Sequence, residues 1–398
     1  MKNKKGKKFS NGQAARLWLP GKGRGAIALL FLLFIWLPLF DGVFNIVRPF
    51  ALIEKRKLAE KPVFNLSRPF SFAKKYEDYY NDHFTFRTRW VYLNNLLTYL
   101  FFHASASAKV VIGKEEWLFL GNYNKFFDEI DYYRNLEPFT VGELRYWQVL
   151  LEERRNWLKR RGIHYIFTIA PNKSTIYPEF MPDSVKKINP RSRLDQLIAH
   201  LEKYSTLRIL DLRPALREAK KIRPTYHRTD THWNDWGAYV AYHEIIRSLQ
   251  PHFAAARPRS LERYHFQPTE FRDGDLALML TLPDIFRETH WRITAKFPLQ
   301  ARAQAAGERK PQNERTPVSV HACASGPLPA ALLVHDSFAF PMKQFLSEEF
   351  SKTIYIWDWD LNFFDRTIEE EGVKIVIEQM VEYSLLNRVP VNPPPLHR

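Results

Sequence analysis

Strand-like and helix-like segments alternate through most of this chain, and that alternation limits the fold more than any other feature. Apolar runs such as "IHYIFTIA" (163–170), "ALLV" (331–334) and "KTIYIW" (352–357) are separated by stretches with helical spacing of apolar residues. Continuous apolar runs are typical of strands buried on both faces of a sheet. The sequence therefore predicts an α/β domain with a largely parallel sheet.

Other segments depart from this pattern. Residues 251–328 are rich in turn formers and low in strand signal, which predicts an insertion or long surface loop inside a domain at 76–390. Residues 48–75 mix charge with proline and predict an extended stalk, whereas the aromatic spacing of 76–102 predicts a pair of helices. Residues 391–398 form a proline-rich tail.

The N-terminal region combines a basic arm with a charge-free run. Residues 1–24 hold eight basic residues and no acid, half of the net charge of +16, and "GAIALLFLLFIWLPLF" (25–40) follows. At about 1.5 Å per residue this run is shorter than a bilayer core of roughly 30 Å, so we extend it to residue 47. A cleaved signal peptide is the alternative, but no A-x-A-like cleavage site follows the run. We expect a transmembrane anchor at 25–47, an N-terminus in the cytoplasm and the rest of the chain in the periplasm.

The remaining charge and the cysteine content argue against a nucleic-acid-binding surface and exclude an intrachain disulfide. Beyond residue 24 the basic residues are scattered without a block, which argues against binding to nucleic acid. Cys323 is the single cysteine of the sequence, so an intrachain disulfide is impossible.

The stretch "HRTDTHWND" (227–235) concentrates side chains that carry out acid–base chemistry. In an extended segment Asp230 and His232 project to the same side, so the carboxylate can hold one ring nitrogen while the other faces a nucleophile. A metal site is an alternative, although no spacing typical of zinc motifs occurs. Its possible ligands are His227, Asp230, His232 and His243. A polar turn is a further alternative.

A candidate nucleophile follows the run "ALLV". Ser337, in "HDSF", stands where a buried strand turns toward a helix, at the edge of the sheet where ligand crevices form. Its hydroxyl could attack an ester with His232 as base, and backbone N–H groups of Ser337 and Phe338 could stabilise the oxyanion. A helix N-cap is the structural alternative for Ser337.

Taken together, these residues resemble the SGNH-hydrolase-like domain of the alginate O-acetyltransferase family, which acetylates cell-envelope polysaccharides. The resemblance covers roughly residues 50–385 and is strongest in four runs: "VIGKEEWLFL" (111–120), "APNKSTIYPEFMP" (170–182), "HRTDTHWNDWGAY" (227–239) and "HDSFAFPM" (335–342). Shorter matches are "NDHFTFR", "GDLALML" and "IEQMVEY".

The resemblance implies an SGNH-like α/β fold and an acetyl transfer through an acyl-serine, with no cofactor or metal. The family's Asp-x-His-Trp motif falls on Asp230, His232 and Trp233, and its serine motif falls on Ser337. Many relatives have glycine where this chain has His335, which affects the expected oxyanion-hole geometry. Weaker candidates for oxyanion or substrate contacts are Phe338, Asn172, Lys173 and Trp233. A structural turn is the alternative for Asn172 and Lys173, and a place in the core is the alternative for Trp233.

The resemblance also implies partners. The acceptor is an extracytoplasmic polysaccharide, and a multi-pass membrane-bound O-acyltransferase passes the acetyl group across the cytoplasmic membrane. A carbohydrate acetylesterase would use the same triad, with water as the acceptor. A non-catalytic envelope protein that binds polysaccharide through its aromatic surface is an alternative of another class, since 15% of the residues are aromatic.

Overall fold

The computed structural model describes residues 21–44, 58–64, 69–84, 86–124, 127–304, 318–358 and 365–386. Most of the predicted basic arm, the stalk residues 48–57 and 65–68, residues 305–317 and the tail 391–398 lie outside the described residues. The chain divides into two units, Met1–Val91 and Tyr92–Arg398.

Twelve helices are described. They are α1 Gly21–Phe44, α2 Pro69–His83, α3 Arg87–Phe102, α4 Glu129–Arg134, α5 Val141–Arg160, α6 Lys173–Ile176, α7 Arg193–Tyr204, α8 Arg213–Ala219, α9 Asp235–Leu249, α10 Asp275–Met279, α11 Lys343–Leu346 and α12 Asp365–Glu370.

Thirteen strands are described. They are β1 Val110–Ile112, β2 Leu118–Leu120, β3 Asn122–Asn124, β4 Phe127–Asp128, β5 His164–Ala170, β6 Leu210–Asp211, β7 Tyr264–Phe271, β8 Glu288–Ala295, β9 Arg302–Gln304, β10 Val318–Ala322, β11 Ala331–His335, β12 Lys352–Trp357 and β13 Ile375–Val381.

The first unit contains helices α1 and α2. Helix α2 begins at Pro69, so residues 69–75 are helical where an extended stalk was expected. The reason is an aromatic repeat that extends below residue 76, since Phe72 stacks on Tyr76 one turn further along. Among the described residues, no helix is both long enough and apolar enough to cross a membrane. The anchor at 25–47 therefore stays a prediction.

The second unit is built on a seven-stranded sheet of order β6-β5-β13-β11-β12-β10-β9. The five strands from β6 to β12 are parallel, whereas β10 and β9 add antiparallel pairings at one edge. The sheet is thus mixed but largely parallel, as the alternation of strands and helices predicts. The chain moves outward from β5 to β6 and from β11 to β12, on opposite sides of β13.

Side chains of the central strands alternate between two apolar layers. On β11, Ala331 and Leu333 belong to the larger core cluster, while Leu332 and Val334 belong to the smaller one. This period of two is the ordinary geometry of a strand covered on both faces. It fixes the register of β11, because a slip by one residue would exchange the two layers.

The structure differs from the expected loop at residues 251–328. Strands β7 and β8 pair over eight residues in an antiparallel ribbon, and β9 and β10 join the main sheet. The sequence signal of the ribbon is weak because one face of it is exposed and Pro268 lies within β7. Tertiary pairing supplies the strands here.

A buried ion pair connects helix α5 to the central strand β13. Arg154 bonds to Glu378, and both side chains are at most 6% exposed. The hydroxyl of Tyr165 on β5 donates to the other carboxylate oxygen of Glu378. The ion pair and this hydrogen bond therefore connect helix α5 with the neighbouring strands β13 and β5.

We expect Arg154→Met to lower the free energy of unfolding by about 3–5 kcal/mol, because Glu378 would keep a buried charge without its cation. The double variant Arg154→Met/Glu378→Gln should recover most of that loss, since the amide oxygen still accepts from Tyr165. Urea denaturation, monitored by tryptophan fluorescence, measures the free energy of unfolding of both variants. A single variant as stable as the unaltered chain would show that this pair is dispensable.

Candidate active site

Three neighbouring strands end at the edge of the sheet where the predicted site residues lie. Strand β11 leads into Ser337, β5 leads into Asn172 and Lys173, and β13 lies between them. Because parallel strands end at the same edge of a sheet, these segments are brought together although they are far apart in sequence.

Ser337 opens a short 3₁₀ segment, Ser337–Met342. Its N-cap is Asp336, whose carboxylate accepts from the Phe338 N–H at 2.9 Å, the Val381 N–H at 2.6 Å and the Gln379 amide at 2.9 Å. Since Asp336 caps the turn, the Ser337 hydroxyl is free for another partner. The alternative of Ser337 as the N-cap is therefore wrong.

That partner is His232. The Ser337 Oγ lies 2.7 Å from Nε2 of His232, and Nδ1 of the same ring lies 2.7 Å from the Oδ1 atom of Asp230. With Nδ1–H donating to the carboxylate, the neutral ring accepts the serine proton at Nε2. The three residues predicted as a triad form a continuous hydrogen-bonded relay.

The relay alters the proton affinities of its members. Burial alone would lower the pKa of His232, but the hydrogen bond and negative charge of Asp230 outweigh it and raise the pKa above its ordinary value. Burial alone would raise the pKa of Asp230, but the hydrogen bond and charge of His232 hold it well below its usual range. Asp230 therefore stays ionised beside a strengthened base.

Lys173 holds the loop 227–232, which carries Asp230 and His232, through hydrogen bonds to its backbone. This side chain is buried, and its Nζ donates to the carbonyl oxygens of His227, Arg228 and Asp230 at 3.1, 3.3 and 2.6 Å. Burial lowers the pKa of Lys173 to about 8 although nearby carboxylates oppose that shift. Lys173 is thus a structural support, which is the alternative to a substrate contact that the sequence left open.

Asp275 is a further support that sequence reasoning missed. Its N–H donates to Oδ2 of Asp230 at 2.9 Å, and its carboxylate accepts from the N–H of Thr231 at 2.8 Å. The preceding Gly274 lies against the loop so closely that a Cβ there would come within 2.4 Å of the Thr229 carbonyl oxygen. The run "GDLALML" carried this signal, as a glycine before an acidic helix start.

Two aromatic candidates are buried rather than exposed to substrate. Trp233 is fully buried, and its Nε1–H donates to the Phe338 carbonyl oxygen at 2.9 Å. Phe338 is also buried, and its N–H is engaged by Asp336. The predicted substrate contact of Trp233 and oxyanion role of Phe338 are corrected accordingly. Trp236 lies in the core.

Asn172 has a structural role at the end of β5. It is 1% exposed, its N–H donates to Glu382 at 2.8 Å, and its Oδ1 accepts from the Tyr383 N–H at 3.0 Å. Its side-chain Nδ2 has no partner among the described residues. The N–H and Oδ1 of Asn172 thus have the structural role that the sequence left open, and an oxyanion contact through Nδ2 stays a prediction. Asn234 caps α9, since its side chain accepts from the Gly237 N–H.

One group of possible metal ligands occurs in the described part of the chain: Asp230, His232 and Asp275, whose ligand atoms lie within 4.8 Å of one another. It contains neither His227, which lies 3.2 Å from Glu288, nor His243. Its atoms already make the hydrogen bonds of the relay and of the loop, so a cation here would compete with the Ser337–His232 pair.

A family model described as the SGNH hydrolase-like domain of the acetyltransferase AlgX matches residues 110–354, more than half of the chain. The chain belongs to this family. The matched segment of this AlgX-type domain contains all three residues of the relay.

Curated relatives carry the name probable alginate O-acetylase AlgJ. The protein of Pseudomonas fluorescens is 28% identical over 60% of this chain and 57% of its own length. The protein of Pseudomonas aeruginosa is 24% identical over 67% of this chain and 64% of its own. This AlgX-type chain thus spans a little over half the length of the relatives it matches.

Among solved structures, Bacillus cereus PatB1 is similar with a TM-score of 0.49 and 14% identity, over 69% of this chain and 96% of that chain. The O-acetyltransferase domain of Pseudomonas putida AlgJ gives a TM-score of 0.47 and 17% identity, over 71% and 94%.

The raised pKa of His232 predicts how ester cleavage depends on pH. Because the base must be neutral, we expect cleavage of p-nitrophenyl acetate to increase with pH through a midpoint above about 6.5, the ordinary value for histidine. Asp230→Asn should move the midpoint to lower pH and slow cleavage by about 10³- to 10⁴-fold. Stopped-flow pH profiles of both chains measure this, and an unshifted midpoint would contradict it.

A second variant tests the support of the loop. We expect Lys173→Met to slow cleavage by about 10- to 100-fold with KM unchanged, since the relay loses alignment while no substrate contact is lost. Stability should fall by about 1–3 kcal/mol because buried carbonyls lose their donor. The matched control is Lys203→Met, on the exposed face of α7. A raised KM for the Lys173 variant would restore the substrate-contact hypothesis.

Proposed function

We propose that this chain is an O-acetyltransferase that moves an acetyl group through acyl-Ser337 onto hydroxyls of an extracytoplasmic polysaccharide. The observation that carries the proposal is the relay from Ser337 through His232 to Asp230, with both contacts at 2.7 Å. Membership of the AlgX-type acetyltransferase family supports the same chemistry.

In the first half-reaction Ser337 Oγ attacks the acyl carbonyl carbon of the donor, and its proton passes to Nε2 of His232. The carbonyl oxygen becomes an oxyanion, and the charged ring is stabilised by Asp230. The tetrahedral intermediate then collapses. The leaving group takes the proton from His232, and acyl-Ser337 remains.

In the second half-reaction a hydroxyl of the acceptor attacks the acyl-serine. His232 accepts the hydroxyl proton and returns it to Ser337 Oγ as the new ester leaves. The side chain of His232 is 25% exposed, so an acceptor can reach it from solvent. Water in place of the sugar would give the carbohydrate acetylesterase reaction with the same residues.

The acceptor class is supported by the relatives, which are named alginate O-acetylases. A polysaccharide outside the cytoplasm cannot be acetylated directly from a cytoplasmic donor. The proposal therefore includes a multi-pass membrane-bound O-acyltransferase that hands the acetyl group to Ser337.

The proposed location is the cytoplasmic membrane, with the catalytic unit in the periplasm. Supporting it are the charge-free run at 25–40 and the eight basic residues before it, which favour a cytoplasmic N-terminus. Cleavage of the full chain by protease added to spheroplasts tests this orientation.

The test of the function uses the full chain with p-nitrophenyl acetate, quenched in acid. We expect a covalent adduct of roughly 42 Da on Ser337, as an acyl-enzyme mechanism requires. The adduct should be absent from Ser337→Ala and greatly reduced in His232→Ala. Intact-mass measurement and peptide mapping locate it.

Controls separate this proposal from its alternatives. Ser260→Ala, at an exposed serine, should acylate like the unaltered chain. Acetyl appearing on an added oligosaccharide identifies a transferase, whereas release of acetate alone identifies an esterase. Loss of activity with a chelator would favour a metal mechanism. Absence of any adduct in the unaltered chain would favour a polysaccharide-binding protein.

A further inference from the structure

The oxyanion in the proposed reaction needs a donor beside Ser337, and the N–H groups of the turn are unequally available. The Phe338 N–H donates to the Asp336 carboxylate at 2.9 Å, and the Ala339 N–H donates to the Asp336 carbonyl oxygen at 3.2 Å. Among the described residues, no backbone carbonyl accepts a hydrogen bond from the Ser337 N–H. It is the donor of this turn that a substrate oxygen can use.

The direction of that N–H is set by the peptide between Asp336 and Ser337. This peptide is trans, so its N–H points opposite to its carbonyl. The Asp336 carbonyl oxygen is held by two donors: the Ala339 N–H and Nδ1–H of His335, at 2.7 Å. Fixing the oxygen from one side fixes the N–H on the other.

His335 is suited to this bond. It is the last residue of β11 and is 1% exposed, and its ring makes T-shaped contacts with the rings of Phe340 and Tyr355. Burial lowers the pKa of His335 to about 4, so the ring is neutral near pH 7 and carries its proton on Nδ1. Its Nε2 has no partner among the described residues, so Nδ1 makes the single recorded hydrogen bond of the ring.

We propose that His335 is a positioning residue, which holds the Asp336–Ser337 peptide so that the Ser337 N–H faces the oxyanion. The inference rests on the proposed acyl transfer. The ring does not contact the reacting atoms and takes no proton, so His232 remains the base.

Three full-length variants separate the hydrogen bond from packing. Asn places its amide N–H near the position of Nδ1, Gln places it near Nε2, and Leu keeps bulk without a donor. We expect His335→Leu and His335→Gln to slow the nitrophenolate burst from p-nitrophenyl acetate by about 10- to 100-fold. His335→Asn should stay within about threefold of the unaltered chain.

Two further readouts distinguish positioning from general damage. KM and the pH midpoint of the burst should be unchanged in all three variants, because substrate contacts and the His232–Asp230 pair are intact. Thermal unfolding identifies any variant that fails to fold. If the Leu variant does so, the comparison of Asn with Gln decides the matter.

Two outcomes would overturn the inference. Equal burst rates in all variants would show that the peptide needs no support from residue 335. An Asn variant as slow as the Leu variant would assign the loss to ring packing rather than to the Nδ1 bond. A different pattern marks failure of the proposed function itself: the unaltered chain would then give no burst, and the oxyanion role of Ser337 would fall with it.

Discussion

The hydrogen bond from Trp233 Nε1 to the Phe338 carbonyl joins the two segments on which the site depends. One segment carries the acid–base pair and the other carries the serine, and they are 105 residues apart along the chain. The same two residues also meet edge to face, with ring centroids 5.2 Å apart. Because the contact is fully buried, it aligns His232 with Ser337 without help from substrate. Trp233 therefore holds the two segments together and does not provide a surface on which a sugar ring stacks.

Around this contact, the charged side chains form hydrogen bonds with the backbone rather than with a ligand. The Asp336 carboxylate accepts hydrogen bonds from two backbone N–H groups, and the Lys173 ammonium donates hydrogen bonds to three carbonyl oxygens. Each is buried, where an unpaired charge would cost several kcal/mol, so every one of these bonds resists distortion. The relay thus rests on a rigid polar frame. A rigid frame of this kind lowers the reorganisation needed when charge develops on the acyl oxygen.

Sequence reasoning predicted the α/β fold and the relay because both follow from local signals. An apolar run that ends in "HDSF" and an Asp and His two positions apart define the site once the strands are parallel. It did not predict the partners of Asn172, Lys173 and Phe338, since these contacts depend on burial by segments distant in sequence. Lys173 is an example: a lysine after a strand is usually solvated, and only the docked 227–230 loop supplies its carbonyl partners. The β7–β8 ribbon was missed for another reason, because one of its faces is exposed and Pro268 lies within β7.

The exposure of the relay bears on how transfer could prevail over hydrolysis. His232 keeps a quarter of its side chain exposed and Ser337 is half-buried, so water reaches the base in the free protein. His232 can accept a proton from any hydroxyl next to its Nε2, whether that hydroxyl belongs to water or to a sugar. Selectivity must therefore come from occupancy: an acceptor chain lying across the carboxyl edge of β11 would supply the nucleophile and exclude water at the same time. In that case the binding of the acceptor also suppresses hydrolysis. The acyl-serine of the proposed mechanism then persists only while the acceptor covers this edge or while the donor acylates Ser337 again.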